Sequence, residues 1–545
     1  MIVANAFLAI ALHAIYAVAF PLSGPTVALD GASAVGVNSG AVQKFLGIPF
    51  AQPPVGNLRF RLPQPISYPN GTVYDATEYG LSCIQQTVQL PLVSGLVAEA
   101  ADFLIGSIFG TVFPDAEDCL TINVVKPRTA TSTSKLPVVV WIFGGGFQLG
   151  ATTMYDGTDI VTRSQQLGSP IVYVSMNYRL AGLGFLPGKE VKEAGVGNLG
   201  LHDQREALRW IQKYITQFGG DPTKVTIWGE SAGAISASLQ MITNGGNTEG
   251  LFRAAFMQSG APIPVGDITN GQKYYDNMVK DTGCSGAIDT LQCLRTVPYA
   301  KIKAAINNAP SIFAYQSLTL AWLPRTDGVF LTDDPLRLVQ SGKIAQIPYV
   351  TGNCDDEGTL FSLANLNVTT TTQFKAYLKG TFLPGLTDTQ VEKVAALYPA
   401  DITEGSPFGT GILNALSPQF KRLAAFQGDG VFQAPRRWLL QHTAGKQDIW
   451  VYVNKRLKGL PILGSAHATD ILNVYGKGDM ADHLIRFAAK LNPNPAIGYQ
   501  WPKFTAAGRK IAVYQDGLIP LATSEDDFRT SAMAYLTEVT LEHPV

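Results

Sequence analysis

The sequence predicts an α/β fold with a mixed, mostly parallel central sheet flanked by helices. Residues 138–143, V-V-V-W-I-F, are apolar throughout and lead into the glycine turn 144–147. Residues 225–228, V-T-I-W, lead into the small-residue turn 229–233, which is followed by a helical run of small residues at 234–239. Continuous apolar strands are typical of parallel sheets that helices cover on both faces. The strand, turn and helix order therefore indicates a helix-covered sheet with tight turns at its edge.

Ser231 lies at the centre of the turn 229–233, G-E-S-A-G, and is the candidate nucleophile. A serine hydroxyl is a poor nucleophile at neutral pH unless a neighbouring base removes its proton. Glycines on both sides leave room for a strained strand-to-helix turn that exposes the hydroxyl. Because the chain has 54 glycines, the short pattern is weak by itself. The prediction depends on the strand before the turn and the helix after it.

His467 is the predicted general base, because histidine is the side chain whose pKa suits proton transfer near neutral pH. It lies in G-S-A-H-A-T-D-I, a loop of small residues late in the chain and downstream of Ser231. A surface histidine in a loop is the alternative interpretation. The other five histidines lie in the first residues, in helical segments or near the C-terminus: His13, His202, His442, His483 and His543.

An acidic side chain that orients the histidine is expected between the two in sequence, at the C-terminal end of a strand. Residues 347–352, I-P-Y-V-T-G, fit such a strand, and Asp355, Asp356 and Glu357 follow it closely. The residue pattern does not choose among these three carboxylates. Aspartates that lie in a solvated turn are the alternative interpretation of the first two.

The glycine turn 144–147 and the residue after Ser231 are candidates for binding a negatively charged oxygen. Backbone N–H groups can stabilise the oxyanion of a tetrahedral intermediate, and glycine lets them approach it without a Cβ in the way. Ala232 would supply a further N–H group. A plain glycine-rich turn is the alternative for 144–147, but two parts in the expected order favour a catalytic site.

Composition and spacing exclude several classes of protein. The formal charge of −1 leaves no electrostatic basis for nucleic-acid binding, so a neutral or apolar substrate is expected. Residues 195–200 match G-x-G-x-x-G but follow a charged stretch instead of a strand, which argues against a dinucleotide site. Neither a metal nor an organic cofactor is expected, because no clustered histidine or cysteine spacing indicates one. No linker or repeat divides the chain, which predicts one large domain with insertions.

Residues 1–19 are interpreted as a secretory signal peptide, so the mature domain is residues 20–545. The segment is apolar from residue 7 to residue 20 and has A-V-A before the expected cleavage point. An uncleaved membrane anchor is the alternative. A secreted, extracellular chain makes the sequons at Asn70 and Asn367 candidate glycosylation sites.

The five cysteines of a secreted chain suggest two disulfides and one leftover thiol. Cys284 and Cys293 could close a short local loop. Cys83 and Cys119 could close a longer one, which would leave Cys354 free. The sequence alone permits other pairings.

The segment at about residues 84–118 has apolar side chains at helical spacing. Glu99 and Asp102 are its only charges before Asp115, and a buried core helix is the alternative interpretation. A membrane span is not expected, because two carboxylates would lie near its middle. The positions that define the spacing are Leu92 and Val93, Leu96 and Val97, Ala100, Phe103 and Leu104, and Ser107 and Ile108.

Longer motifs are spread over nearly the whole mature chain. They are F-L-G-I-P-F-A-Q-P-P-V-G-N-L-R-F at 45–60, E-D-C-L-T-I-N-V at 117–124, W-I-F-G-G-G-F at 141–147, F-G-G-D-P-T-K-V-T-I-W-G-E-S-A-G at 218–233, D-D-E-G-T-L-F at 355–361, and the His467 loop. In these segments the chain resembles the type-B carboxylesterase/lipase family of α/β-hydrolases, and most closely its secreted fungal lipases and sterol esterases. Together the motifs are highly specific.

The resemblance implies an α/β-hydrolase fold with an apolar lid insertion, and it implies a catalytic triad of Ser231, Glu357 and His467. It also implies the remaining roles: oxyanion donors at Gly145, Gly146 and Ala232, and disulfides Cys83–Cys119 and Cys284–Cys293.

The implied activity is hydrolysis of carboxylic esters of long-chain fatty acids through an acyl-enzyme, as in a secreted triacylglycerol lipase or sterol esterase. The family has a mobile flap in the 83–119 loop, and opening so apolar a flap would be stabilised at a lipid surface. The expected partner is therefore a lipid or ester substrate at an oil–water interface. A broad-specificity short-chain carboxylesterase and a non-catalytic cholinesterase-like binding domain are the alternatives.

Overall fold

The computed structural model of the protein describes residues 23–476 and 478–545, so the predicted signal peptide, residues 1–19, lies outside the described residues. The strands of the described chain are β1 (Thr26–Leu29), β2 (Ala32–Val35), β3 (Val37–Ser39), β4 (Val42–Pro49), β5 (Val73–Asp75), β6 (Thr121–Pro127), β7 (Leu136–Ile142), β8 (Val172–Met176), β9 (Gly220–Glu230), β10 (Ala254–Gln258), β11 (Tyr349–Cys354), β12 (Ile449–Lys455), β13 (Lys510–Gln515) and β14 (Leu521–Glu525).

Eleven of these strands form the central sheet, in the order β14-β13-β12-β11-β10-β9-β7-β8-β6-β4-β3. The stretch from β13 to β8 is parallel throughout. Antiparallel pairs extend it at both ends, with β14 on one side and β6, β4 and β3 on the other. The prediction of a mixed, mostly parallel sheet is confirmed. Strands β1, β2 and β5 form a separate small sheet.

Helices lie between most of the parallel strands. Those of the described chain are α1 (Ala98–Gly106), α2 (Thr158–Gln166), α3 (Ala181–Gly184), α4 (Lys189–Glu193), α5 (Leu199–Tyr214), α6 (Ala232–Ile242), α7 (Gln272–Thr282), α8 (Thr290–Thr296), α9 (Tyr299–Asn307), α10 (Pro335–Gln340), α11 (Thr359–Ser362), α12 (Thr371–Tyr377), α13 (Asp388–Leu397), α14 (Phe420–Gly428), α15 (Ala434–Thr443), α16 (Leu472–Tyr475), α17 (Asp479–Lys490) and α18 (Thr530–Glu542).

The middle of the sheet is buried as its apolar sequence requires. Residues 138–142 of β7 and residues 225–230 of β9 are buried, and α5, α6 and α17 pack against β9. The rings of Trp141 and Trp228 on these neighbouring strands lie 4.2 Å apart between centroids. A rigid core therefore supports the turns at the carboxyl ends of β7 and β9.

The strands that follow β7 in sequence are added to the sheet first on one side of β7 and then on the other. The connection through α2 leads from β7 to β8 on one side, and the connection through α5 returns to β9 on the other. Ligands of parallel α/β sheets bind at such a switch point, where the two connections diverge beyond the strand ends. Ile142 is paired with Gly229, so the turns 144–147 and 229–233 lie side by side at this point.

The disulfide Cys83–Cys119 closes the apolar segment, as the family pattern implies, and Cys284–Cys293 closes the shorter loop. Cys354 is a free, buried cysteine. Within the segment only α1 is an α-helix, and it begins at Ala98. The apolar spacing predicted that helical turns would begin earlier in the segment. The helix cannot extend before Ala98, because Gly95 has a left-handed φ of 89° and Pro91 lacks a backbone donor.

Asn70 and Asn367 are both exposed, so their glycosylation stays a prediction that the surface permits. Across residues 23–476 and 478–545, none of the helices combines the length and the apolar character that crossing a bilayer requires.

Candidate active site

Ser231 connects β9 to α6 in a strained conformation. Its φ of 55° and ψ of −127° are rarely adopted by a residue with a Cβ. The glycines around it are needed for close contact: a Cβ on Gly229 would lie 2.3 Å from the carbonyl carbon of Gly233, and a Cβ on Gly233 would lie 1.9 Å from the oxygen of Ile142. Larger residues would push the turn away from β7. The strained strand-to-helix turn expected of a nucleophile elbow is thus present, and the role of Ser231 as the nucleophile stays a prediction.

The glycine turn after β7 reaches Ser231 directly. A Cβ on Gly144 would lie 2.8 Å from the Cβ of Ser231. Gly145 and Gly146 have left-handed φ values of 106° and 63°, and their N–H groups have no acceptor among the described residues. Ala232 is the first residue of α6, where backbone N–H groups lack an acceptor within the helix. These unpaired donors next to Ser231 are suited to bind an oxyanion.

The structure brings His467 and Glu357 together. The Nδ1 atom of His467 lies 2.5 Å from Oε2 of Glu357, and both side chains are buried. Glu357 Oε1 accepts hydrogen bonds from Cys354 N at 2.7 Å and from Asn353 Nδ2 at 3.3 Å. A carboxylate held by two other donors keeps the imidazole in one orientation. Nε2 of His467 makes no hydrogen bond to the described residues, and His467 lines the same cavity as Ser231.

Contacts separate the three acidic candidates that the sequence left open. Lys458 Nζ lies 2.6 Å from a carboxylate oxygen of Asp355 and 2.6 Å from one of Asp356. Asp356 also accepts a hydrogen bond from Ser465 N at 2.9 Å, which attaches the acidic turn to the histidine loop. Both aspartates are therefore bound to a lysine, and Glu357 is the carboxylate that faces His467.

Aromatic rings hold the imidazole on its faces. The ring centroid of His467 lies 4.6 Å from that of Phe432 and 5.1 Å from that of Phe361. Phe361 in turn contacts Phe109 at the end of the lid segment. The imidazole is thus packed between two aromatic rings, which fixes its position.

Glu230 is a site residue that the sequence analysis missed. Its Oε1 lies 3.3 Å from His467 Nε2, and neither atom has a hydrogen-bond partner in the described part of the chain. Burial raises the pKa of Glu230 to about 8. Burial alone lowers the pKa of His467, but the charges of Glu230 and Glu357 and the hydrogen bond to Glu357 outweigh it and raise that pKa to about 9. The signal in the sequence was a charged residue inside a turn of small, buried residues.

Asp470 completes a buried acidic cluster around the histidine and was also missed. Tyr452 donates to its Oδ2 at 2.6 Å, and burial raises the pKa of Asp470 to about 6. It lies three residues after His467 in sequence, on the same loop. The cluster of Glu230, Glu357 and Asp470 faces one histidine, so the site favours the protonated imidazole that forms during catalysis.

A cavity of about 330 Å³ opens over the site and is bounded on one side by residues 102–109 of the apolar 84–118 segment, the predicted lid. Its walls include Ser231, His467 and Gly145, and its apolar part is formed by Phe103, Ile108, Phe109, Leu360, Ile471 and Leu472. This concave, mostly apolar shape with few polar groups is typical of a site for a small organic substrate.

Two smaller apolar cavities continue from the other side of Ser231. The first, about 40 Å³, is lined by Ser231 and Ala232, and the second, about 50 Å³, extends to Leu536 of α18. They share lining residues, so they lie next to each other in the core. The shared residues are Ile263, Leu318, Leu323 and Val431.

The sheet order, the elbow after β9 and the glycine turn after β7 define the chain as an α/β-hydrolase. Residues 25–517 match the model of the carboxylesterase family. The chain is 44% identical over 540 residues to Lipase 4 of Diutina rugosa, covering 96% of this chain and 97% of that protein. It is 41% identical to a secreted triacylglycerol lipase of Gibberella zeae, covering 94% and 90%.

The fold is also similar to the crystal structure of Aspergillus niger EstA, with a TM-score of 0.81, 30% identity, and coverage of 96% of this chain and 99% of that one. The chain therefore belongs to the carboxylesterase family, and it is a carboxylic ester hydrolase. The predicted resemblance to secreted fungal lipases is confirmed.

Proposed function

We propose that the protein is a secreted lipase that hydrolyses carboxylic esters of long-chain fatty acids through an acyl-enzyme on Ser231. The substrate is a triacylglycerol or a sterol ester. The observation on which this depends most is the pair of adjacent apolar cavities between Ser231 and Leu536, which we infer form one path for the acyl chain. A short acyl chain would leave that path empty, whereas a long chain would fill it with apolar contact.

The first half of the reaction forms the acyl-enzyme. Unprotonated Nε2 of His467 accepts the proton of Ser231 Oγ as this oxygen attacks the ester carbonyl carbon. The carbonyl π bond opens and its oxygen becomes the oxyanion, which the N–H groups of Gly145, Gly146 and Ala232 stabilise. When the carbonyl re-forms, the bond to the alcohol oxygen breaks, and His467 gives its proton to the leaving alcohol.

The second half releases the fatty acid. Water gives a proton to Nε2 of His467 and adds to the acyl carbon, and the same N–H groups bind the second oxyanion. Collapse of this intermediate breaks the bond to Ser231 Oγ, which recovers the proton from His467. Glu357 does not touch the substrate; it holds the imidazole through Nδ1 and stabilises its charged form.

The lid segment supports a substrate that is insoluble in water. Leu92, Val97 and Ile105 on its outer side are exposed, while Ala100 and Leu104 of α1 are buried against the body of the protein. Glu99 and Asp102 are the charges on the exposed side, so most of the surface that the segment would present on opening is apolar and is stabilised at an oil–water interface. We therefore infer that it is a lid that opens at the substrate surface.

Secretion is part of the proposal. Two disulfides fit an oxidising compartment, and a relative of Gibberella zeae that is 41% identical is described as secreted. The predicted signal peptide at residues 1–19 and the exposed sequons at Asn70 and Asn367 fit an extracellular protein.

A panel of three substrates tests the proposal. We expect wild-type protein to hydrolyse triolein or cholesteryl oleate at rates comparable with or above that for soluble p-nitrophenyl butyrate, and the ratio of the first two identifies the alcohol. Ser231→Ala is the control for contaminating esterase and should lose all three activities. Hydrolysis of the butyrate ester alone would indicate a short-chain carboxylesterase and contradict the proposal. Absence of all three activities would indicate a binding domain.

A further inference from the structure

Residues 405–418, called the 410 loop below, display two apolar side chains in solvent outside the lid. Ile412 is 71% exposed and Leu413 is 67% exposed. No charged residue occurs between Glu404 and Lys421. An adjacent isoleucine and leucine at the tip of an uncharged loop form an apolar patch that water covers poorly.

The loop is held rigidly from inside, by a side chain that is buried itself. Lys421, at 1% exposure, donates from Nζ to Thr410 Oγ1 at 2.9 Å, to Gly411 O at 2.6 Å and to Leu413 O at 3.4 Å. These bonds satisfy the polar atoms of the tip from the protein side. The conformation thus holds the side chains of Ile412 and Leu413 outward instead of letting them fold back on the core.

The 410 loop is joined to the loops that build the catalytic site. Asp356 accepts hydrogen bonds from Ser406 Oγ at 3.0 Å and Phe408 N at 2.9 Å, and it precedes Glu357 directly. Asn414 Oδ1 accepts from Ile462 N at 2.9 Å, in the segment that leads to His467. The tip is therefore fixed relative to the catalytic turn.

The loop also adjoins the lid. A Cβ on Gly95, in the 84–118 segment three residues before α1, would lie 3.5 Å from Cδ2 of Leu416. The exposed residue Leu92 lies three residues before this contact point, and Ile105 is exposed on α1. The 410 loop and the proposed lid are thus in contact, and each carries exposed apolar side chains.

We propose that the 410 loop is a second lipid-anchoring element, in which Ile412 and Leu413 insert into the neutral surface of a lipid droplet beside the lid. This rests on the proposed action at an oil–water interface. The absence of charge at the tip fits a neutral lipid surface and offers nothing to an anionic one. Because the loop is fixed to the catalytic turn, insertion orients the site toward the lipid.

The test measures binding separately from catalysis. All proteins carry Ser231→Ala, so that phosphatidylcholine-coated triolein droplets keep their composition during flotation. The double variant Ile412→Glu with Leu413→Glu should lower droplet affinity by at least about tenfold, because two apolar side chains lose their burial in lipid. The pair Ile412→Ser with Leu413→Ser, which adds no charge, should lower it in the same direction.

A matched pair controls for charge and for loss of exposed apolar surface. Val329 and Ile497 are 49% and 92% exposed. Val329 adjoins Phe330, whose carbonyl accepts from Thr243 at the end of α6, at the edge of the sheet opposite Ser231. Val329→Glu with Ile497→Glu should keep the droplet affinity of the parent. With Ser231 present, all pairs should hydrolyse p-nitrophenyl butyrate at the wild-type rate.

Each outcome separates the inference from the proposed function. A parent that does not float with droplets contradicts action at the interface and this inference with it. A parent that floats, with a 410-loop variant that floats equally, contradicts this inference alone. If the control pair lowered droplet affinity equally, added charge alone would explain the effect, and the inference would be overturned. A change from dimer to monomer with unchanged droplet affinity would make the tip a contact between copies of this chain.

Discussion

Ser231 is held in a conformation that few residues other than glycine adopt, and the strain is maintained by the packing around it. Gly233 lies so close to Ile142 that no side chain fits between them. Such strain persists only where the surrounding structure fixes it, and here it exposes the hydroxyl between two sets of N–H donors. Adding even one carbon atom to a glycine of this turn should therefore disturb the proposed chemistry.

Loss of either proposed reacting group should abolish turnover. We expect Ser231→Ala and His467→Ala each to lower kcat by about 10⁶, and the double variant to lose little more, because the groups act as a unit. Glu357→Gln should cost less than either. Asp355→Asn is the matched control, since Asp355 binds Lys458 and not the histidine. Steady-state hydrolysis of p-nitrophenyl butyrate measures all five variants, and equal losses in Glu357→Gln and Asp355→Asn would refute the assignment of the acid.

The pH dependence of activity should reveal the effect of Glu230 on the pKa of His467. His467 accepts a proton only when Nε2 is unprotonated, so activity falls as the pH drops through the pKa of His467, which neighbouring carboxylates raise to about 9. Glu230→Gln removes one of those charges and should lower that pKa. The acidic limb of the kcat/KM profile then moves to lower pH, by about one unit.

The matched control for this profile is Glu206→Gln, a buried carboxylate of α5 whose pKa is also raised by burial but which the histidine does not contact. Its acidic limb should coincide with that of wild type. An unchanged limb in Glu230→Gln would show that this carboxylate does not act on His467.

The sequence predicts the parts of the site that are formed by neighbouring residues, and it does not predict the parts that are formed when distant loops meet. The turns after β7 and β9 were predictable because each joins a continuous apolar strand to small residues, and the backbone there has few alternatives. The residue pattern alone could not choose Glu357 among three carboxylates, although the family resemblance implied it, because its role depends on contact with a loop 110 residues away. The same holds for Glu230 and Asp470, whose burial arises only when separate loops meet.

In the segment of the proposed lid the sequence predicted too much structure, because the apolar spacing suggested a helix longer than α1. Periodicity detects which side chains share a face, but it does not detect a glycine with a left-handed φ such as Gly95. Spacing therefore predicted the apolar character of the segment and not its bounds.

Charge on the outer side of the lid should affect insoluble substrates selectively. Leu92→Asp with Ile105→Asp places two carboxylates where lipid contact is proposed, and should lower triolein hydrolysis by about tenfold or more. Both side chains are half exposed, so the fold and the hydrolysis of soluble p-nitrophenyl butyrate should be maintained.

Comparison with Leu96→Asp and Phe103→Asp tests the inner side, where the side chains pack against the core and Phe103 lines the cavity. That pair should lower both activities. If the outer pair instead lowered the two activities in equal proportion, the segment would be a pocket wall and not an interfacial lid.

Two cross-links and one buried thiol define the covalent state of the whole molecule. Unreduced, denatured protein should show one reactive cysteine, Cys354, and the native protein none, because this side chain is fully buried. Peptide mapping should recover Cys83 with Cys119 and Cys284 with Cys293. The longer loop should contribute about 3–4 kcal/mol to the free energy of unfolding. Cys354 in a bridged peptide would contradict this pairing.

The whole fold serves to bring four distant parts of the chain to one point at the edge of the sheet: the turn after β7, the elbow after β9, the acidic turn and the histidine loop. Covalent catalysis by Ser231 is the central claim about that point. It requires a serine that reacts with an ester-like electrophile in the folded protein and loses this reactivity when His467 is absent.

Labelling with a fluorophosphonate, followed by mass spectrometry of the digested protein, tests this claim most directly. The account predicts one label per chain, located on Ser231, with esterase activity lost in proportion to labelling and with little labelling in His467→Ala. Labelling of a different residue in step with the loss of activity, or full activity after complete labelling of Ser231, would contradict it.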